Sequence, residues 1–176
     1  MTVSQPIVQS LADVNALSQD DFVLRFGDIA EHSPWVAEAA SRARPFSSHE
    51  SLVKAFQNAI LDAPSARQTA LIQAHPDLAG RAAQMNDLAD ESRREQKGAG
   101  LDTLMPDEFK RFHRLNDAYR TRFGFPFIFA VSGATKHQIL DAFEHRVAGT
   151  LEEEHLTAIA QILRIVRFRL EARVIG

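Results

Sequence analysis

Apolar residues recur every three or four positions along most of this chain, while glycine and proline fall between those runs. That spacing constrains the backbone to helices, because a half-buried strand would alternate with period two. Phe22, Phe26 and Ile29 keep one face of a segment from about 19 to 31. Ser33 then Pro34 reads as an N-cap and first helical residue leading Trp35, Val36, Ala39 and Ala40. Ser48 precedes Leu52, Val53, Phe56 and Ile60, and Pro64 opens a helix through Leu71 and Ile72 that His75-Pro76 must end. A short helix fits Ser92 to Lys97. Phe109, Phe112, Asn116, Tyr119 and Phe123 share a helical stripe, and Ile139, Leu140, Phe143 and Val147 repeat the pattern. The last helix, about 151 to 174, is the longest. No segment alternates for long, no repeat appears, and no Ser/Gly/Pro linker divides the chain. The expected fold is all-α: a single-domain bundle over 1–176, with about eight or nine helices and a short extended segment near 124–133.

Composition agrees with a self-sufficient core. At 176 residues, folding removes about 70% of the extended chain's surface from water, and 45% hydrophobic residues with 12 Phe can supply the interior. With no Cys, disulfides, thiolate metal sites and cysteine nucleophiles are excluded. Lys and Arg total 20 against 23 Asp and Glu, so the net charge of -3 supplies no field for nucleic acid or an anionic membrane. The first cationic side chain is Arg25, unlike a signal peptide's charged start, and no apolar run approaches about 20 residues. A soluble, cytoplasmic protein with no nucleic-acid or membrane partner is expected.

Two stretches resist the helical reading. Residues 73–101 are small and polar around several chain breaks, a poor composition for core and a good one for a site. Gly124 to Gly133 encloses an apolar run interrupted by Pro126. Its side chains suit core packing, but an extended piece in an all-α protein has no sheet to pair with. Its backbone groups must find other partners, and a polar planar ligand is one candidate.

Individual residues in these stretches carry chemistry. Pro76 disfavours α geometry at His75, so its imidazole projects from a helix end, where the dipole favours the protonated form; it is either a proton donor or a cap for helix carbonyls. Ser92-x-x-Glu95 has the spacing of a capping box, yet with Gln96 it could face a ligand from an unusually short helix. On the last helix, Ile162 lies roughly 20° and Ile165 roughly 40° from Arg169, while Arg164 and Arg167 point to the opposite side. Arg169 therefore sits in the apolar stripe and needs an anion, either a protein carboxylate or a substrate. Asn116 interrupts an aromatic stripe and is read as a structural hydrogen bonder. Glu152-x-x-His155 is a single metal-type pair without the second copy a di-metal bundle needs, so no metal site is expected. Phosphate-loop, dinucleotide and G-x-S-x-G motifs are missing from the sequence.

The strings FGDIAEHSPWVAE (26–38), HPDLAG (75–80), ESRREQKGAGLD (91–102), LNDAYRTRFGFPFIFAV (115–131) and RIVRFRL (164–170) resemble the 2-oxo-4-hydroxy-4-carboxy-5-ureidoimidazoline (OHCU) decarboxylase family. The likeness runs in order from about 15 to 172, and its motifs are specific in combination. It implies an all-α homodimer without a cofactor that decarboxylates OHCU to S-allantoin in urate catabolism. The family's catalytic His falls on His75, its substrate-contacting Ser, Glu and Gln on Ser92, Glu95 and Gln96, and its late-helix Arg on Arg169, a catalytic role. Pro76 is implied beside the ligand. Phe127, Ile128, Phe129, Ala130 and Val131 are implied to contact it largely through backbone. The alternative is a non-catalytic helical module that binds a ureido or purine-derived ligand, for which a proton donor at His75 would be superfluous.

Overall fold

The computed structural model describes residues 8–80 and 90–175. Several of its helices start where the sequence supplies a side-chain oxygen. Ser10 and Ser18 accept from the amides of Asp13 and Asp21, each at 3.1 Å, to open α1 (Leu11–Ala16) and α2 (Gln19–Phe26). Ser48 and Ser51 close a reciprocal box on α4 (His49–Leu61), a cap worth about 1 kcal/mol. The expected Ser33 cap is not formed: α3 (Trp35–Ser41) has Pro34 at the cap position, and Ser33 contributes only its carbonyl, 3.1 Å from Val36 N. A proline at the cap fixes φ near its helical value, so the chain turns without a side-chain bond.

Two compact units divide the chain, Met1–Gln68 with Leu163–Gly176 and Thr69–Ile162. In the first, Phe22 lies within 4.9, 6.1 and 6.0 Å of the rings of Phe26, Phe46 and Phe56. Full burial of each such ring contributes about 1.5–3 kcal/mol. Asn15 ties the backbone of Phe46 from both sides, at 2.9 and 2.7 Å. One two-residue parallel pair, β1 (Gln9–Ser10) with β2 (Val174–Ile175), was not expected, because two residues are too short to show any period.

The second unit contains the end of α5 (Ser65–Gln73), α6 (Asp90–Gly98), α7 (Pro106–Phe123), α8 (Lys136–Arg146) and the start of α9 (Leu151–Arg173). Tyr119 centres its core, with the rings of Phe123, Phe127 and Phe143 at 4.5, 5.4 and 5.8 Å. Gly124, at φ 76, ends α7 in the left-handed conformation that glycine adopts without penalty. The chain then runs through Phe125–Val131 without regular hydrogen bonding, where the sequence predicts an extended piece. Among the described residues there are nine helices, so the fold is all-α, and none of them is long and apolar enough to cross a membrane.

Candidate active site

His75 lies just past the end of α5, after Ala74. Its amide bonds Ile72 O at 3.2 Å, and its ring folds back so that Nδ1 lies 2.8 Å from Leu71 O. A ring nitrogen facing a carbonyl must carry the proton, so Nδ1–H donates and Nε2 is the nitrogen outside that bond. The contact with the helix carbonyl therefore occupies one nitrogen of a ring that is only 6% exposed.

The loop after His75 is anchored at three points. Asp77 accepts from Arg120 Nε at 2.8 and 3.1 Å, and Leu78 O accepts from Asn116 Nδ2 at 2.9 Å. Asn116 and Arg120 are one turn apart on α7, so a single helix face grips the loop twice. Ala79, strained at φ 51, donates its amide to Gln96 Oε1 at 3.0 Å. Gly80 closes the turn, where a Cβ would meet Asp77 Cβ at 2.8 Å. The structural role expected of Asn116 is its hold on Leu78.

The capping-box reading of Ser92 and Glu95 is overturned. Helix α6 already includes Asp90 and Glu91, whose acidic side chains suit a first turn, so Ser92 and Glu95 lie inside it. Ser92 and Gln96 are buried, and Glu95 between them is half-buried. Turned inward, Ser92 and Gln96 are buried polar groups of the kind that are hydrogen-bonded, as Gln96 is to Ala79. Gly100, at φ 77, stops the helix, with Leu101 N donating to Gln96 O at 3.0 Å. Of the polar stretch 73–101, residues 81–89 lie outside the described residues.

Pro76 is half-buried on the loop. Phe127, Ile128, Ala130 and Val131 are buried and Phe129 half-buried. Side chains hold this segment's backbone: Gln73 donates to Gly124 O at 3.2 Å, Arg146 Nη1 to Ile128 O at 2.7 Å, and Gln161 Oε1 accepts from Ala130 N at 2.9 Å. The contacts made by Gln96 and Gln73 bring the His75 loop together with α6, and the end of α5 together with the start of the FGFPFI segment.

Sequence reasoning missed the group behind that segment. Tyr119 OH donates to Glu154 Oε2, Arg146 Nε reaches the two carboxylate oxygens at 3.3 and 3.0 Å, and the Arg146 guanidinium lies 4.4 Å from the centre of the Phe127 ring. Burial, reinforced by Glu154, pushes the Tyr119 phenol well above its usual range. The missed signal was helical phase, since Glu154 falls roughly 40° from buried Ala158 and is not on a solvated face.

Arg169 belongs to the first unit, buried at 4% exposure as its phase predicts. Nη1 pairs with Glu31 Oε2 at 3.1 Å and donates to Ile29 O at 3.2 Å, so a protein carboxylate answers its charge. Arg164 is exposed, and Arg167 makes a bidentate pair with Glu50, 2.9 Å for both bonds. His155 lies 3.2 Å from Thr69 Oγ1, while Glu152 is exposed.

The fold is all-helical, and its candidate site offers groups suited to acid–base chemistry: the His75 imidazole in one tautomer, the Glu95 carboxylate, and the neutral side chains of Ser92 and Gln96. The OHCU decarboxylase family model matches residues 15–171, and the chain belongs to that family. A Haloferax volcanii protein named 2-oxo-4-hydroxy-4-carboxy-5-ureidoimidazoline decarboxylase is 43% identical over 93% of this chain and 95% of its own length. A mouse protein of the same name is 38% identical over 91% and 90%. Among solved structures, one of (S)-allantoin synthase superposes with TM-score 0.76 at 30% identity, covering 94% of this chain. This chain spans only 54% of that one.

Proposed function

We propose that this protein is a carboxy-lyase that converts OHCU to (S)-allantoin in urate breakdown without a cofactor. The observation that carries the reading is His75 held in one tautomer by the Leu71 carbonyl, within a chain that belongs to the OHCU decarboxylase family. The substrate bears a hydroxyl and a carboxylate on one ring carbon beside a C=N bond. As carbon dioxide leaves, its bonding pair flows into that bond, so the substrate is its own electron sink. The protein then has to bind the anion, accept the hydroxyl proton, and deliver a proton to one face of the neighbouring carbon. We assign proton delivery to His75 Nε2, with one-face delivery setting the S hand. His75 and Glu95 are the two groups able to take the hydroxyl proton.

Ser92, Glu95 and Gln96 hold ureido and ring polar groups; Gln96 does so with its amide end already oriented by Ala79. Pro76 and the backbone of Phe127–Val131 complete the contacts. Arg169 is assigned to charge balance on the family motif alone, and a cytoplasmic homodimer acting on this small molecule, with no nucleic-acid or membrane partner, is part of the proposal.

The test supplies freshly generated hydroxyisourate-hydrolase product and follows allantoin chirality by circular dichroism. Accelerated formation of the S form, unaffected by chelator, is expected. Activity lost to a chelator and restored by metal would overturn the cofactor-free mechanism. Binding without turnover would make the chain a ureido-binding module.

A further inference from the structure

We infer that Arg146, locked by Glu154 and Tyr119, and Gln161 are positioning residues that orient the two peptides flanking Phe129, so that its N–H and C=O together read a ureido group. The inference rests on the decarboxylase reading for its ligand, and on geometry for everything else.

The 128–129 and 129–130 peptide bonds are trans, since the cis bond found among the described residues is Arg44–Pro45. In a planar trans peptide, the carbonyl of one residue and the N–H of the next point in opposite directions. Arg146 fixes the Ile128 carbonyl at 2.7 Å, so the Phe129 N–H is turned away from Arg146. Gln161 fixes the Ala130 N–H at 2.9 Å, so the Phe129 C=O is turned away from Gln161. Among the described residues neither backbone group of Phe129 has a hydrogen-bond partner. One residue thus offers a donor and an acceptor of set direction, complementary to the C=O and N–H of a ureido group.

The restraint on Arg146 is stiff. Its guanidinium spans a nearly fully buried carboxylate, the Phe127 ring and the Ile128 carbonyl, and the planar fork permits all three at once. Pre-orienting the peptides lowers the ordering cost of ligand binding without touching the reacting atoms. Loss of orientation should therefore appear in KM and ligand affinity, and kcat should be spared.

The first variants are Gln161→Leu, which removes the acceptor, and Gln161→Glu, which retains one. For Gln161→Leu, KM and the Kd for (S)-allantoin should rise about tenfold with kcat within about twofold, while Gln161→Glu stays within about threefold of wild type on both. By NMR, the Ala130 amide should lose exchange protection and the Phe129 amide should shift in Gln161→Leu only. Arg146→Met alone strands a buried carboxylate and can unfold the chain, so its partner test is the double variant Arg146→Met/Glu154→Gln, expected to shift the Phe129 amide as well. Unchanged Phe129 and Ala130 resonances in Gln161→Leu, or shifted resonances with KM and Kd unaltered, would overturn the inference. A wild type that neither turns over OHCU nor binds (S)-allantoin would strike the decarboxylase reading instead, and the peptide orientation would still be judged by the two amides.

Discussion

In the proposed mechanism His75 serves structure with one ring nitrogen and chemistry with the other. Because Nδ1 is committed to Leu71 O, an amide side chain can keep that contact but cannot cycle a proton. His75→Asn should retain the fold and (S)-allantoin binding while turnover falls about 100-fold or more, checked by kcat beside calorimetric binding. A near-normal rate would move the proton donor elsewhere. Glu95 lies inside α6, so a capping role no longer competes with the proposed one there. Glu95→Gln keeps the shape, so stability measured by denaturant should change by less than about 1 kcal/mol while activity drops steeply. Reduced stability at full activity would return Glu95 to a structural role. His75 was legible because Pro76 marks the chain break beside it. The burial of Ser92 was not, because the first turn of α6 is built from Asp90 and Glu91, which carry no cap signature in a sequence dense with charge.

At the level of elements, period and capping made most helices readable, and α9 runs from Leu151 to Arg173 against an expected 151–174. What the period cannot show is which partner a buried charge finds, since that depends on residues far away in sequence, as Arg169 finds Glu31 across 138 positions. Three of the four arginines of α9, Arg164, Arg167 and Arg169, separate phase from role. Arg164→Lys, on the exposed side, should change stability by no more than about 0.5 kcal/mol and leave the rate intact. Arg169→Lys should lose activity and lower the melting temperature, because an ammonium on a flexible stem does not replace the planar fork between Glu31 and the Ile29 carbonyl. Arg167→Lys trades one half-exposed ion pair for another and should act far less than Arg169→Lys in both assays. Activity lost at Arg167 and kept at Arg169 would refute the assignment of Arg169.

At the scale of the molecule, the question is whether the two compact units melt as one domain. Size and the continuity of α9, whose residues belong to both, support one cooperative transition over 1–176, and the sequence supplies its own probes. It has one Trp and one Tyr. Trp35, under the Arg67 guanidinium at 4.8 Å, belongs to the first unit, and Tyr119 to the second. Burial holds the Tyr119 phenol protonated well above its ordinary value of 10.0, whereas in the unfolded chain it ionises near that value. Its contribution to stability is therefore complete below about pH 10 and is lost as pH rises further, because the unfolded chain then binds fewer protons than the folded one. Tyrosinate absorbance should accordingly stay absent in the folded protein just above pH 10 and appear only with unfolding. In an alkaline titration, the tyrosinate signal and the Trp35 emission shift should share one midpoint. Separate midpoints would mean that the units unfold independently, with α9 breaking between Ile162 and Leu163, and that two domains, not one, make up the chain.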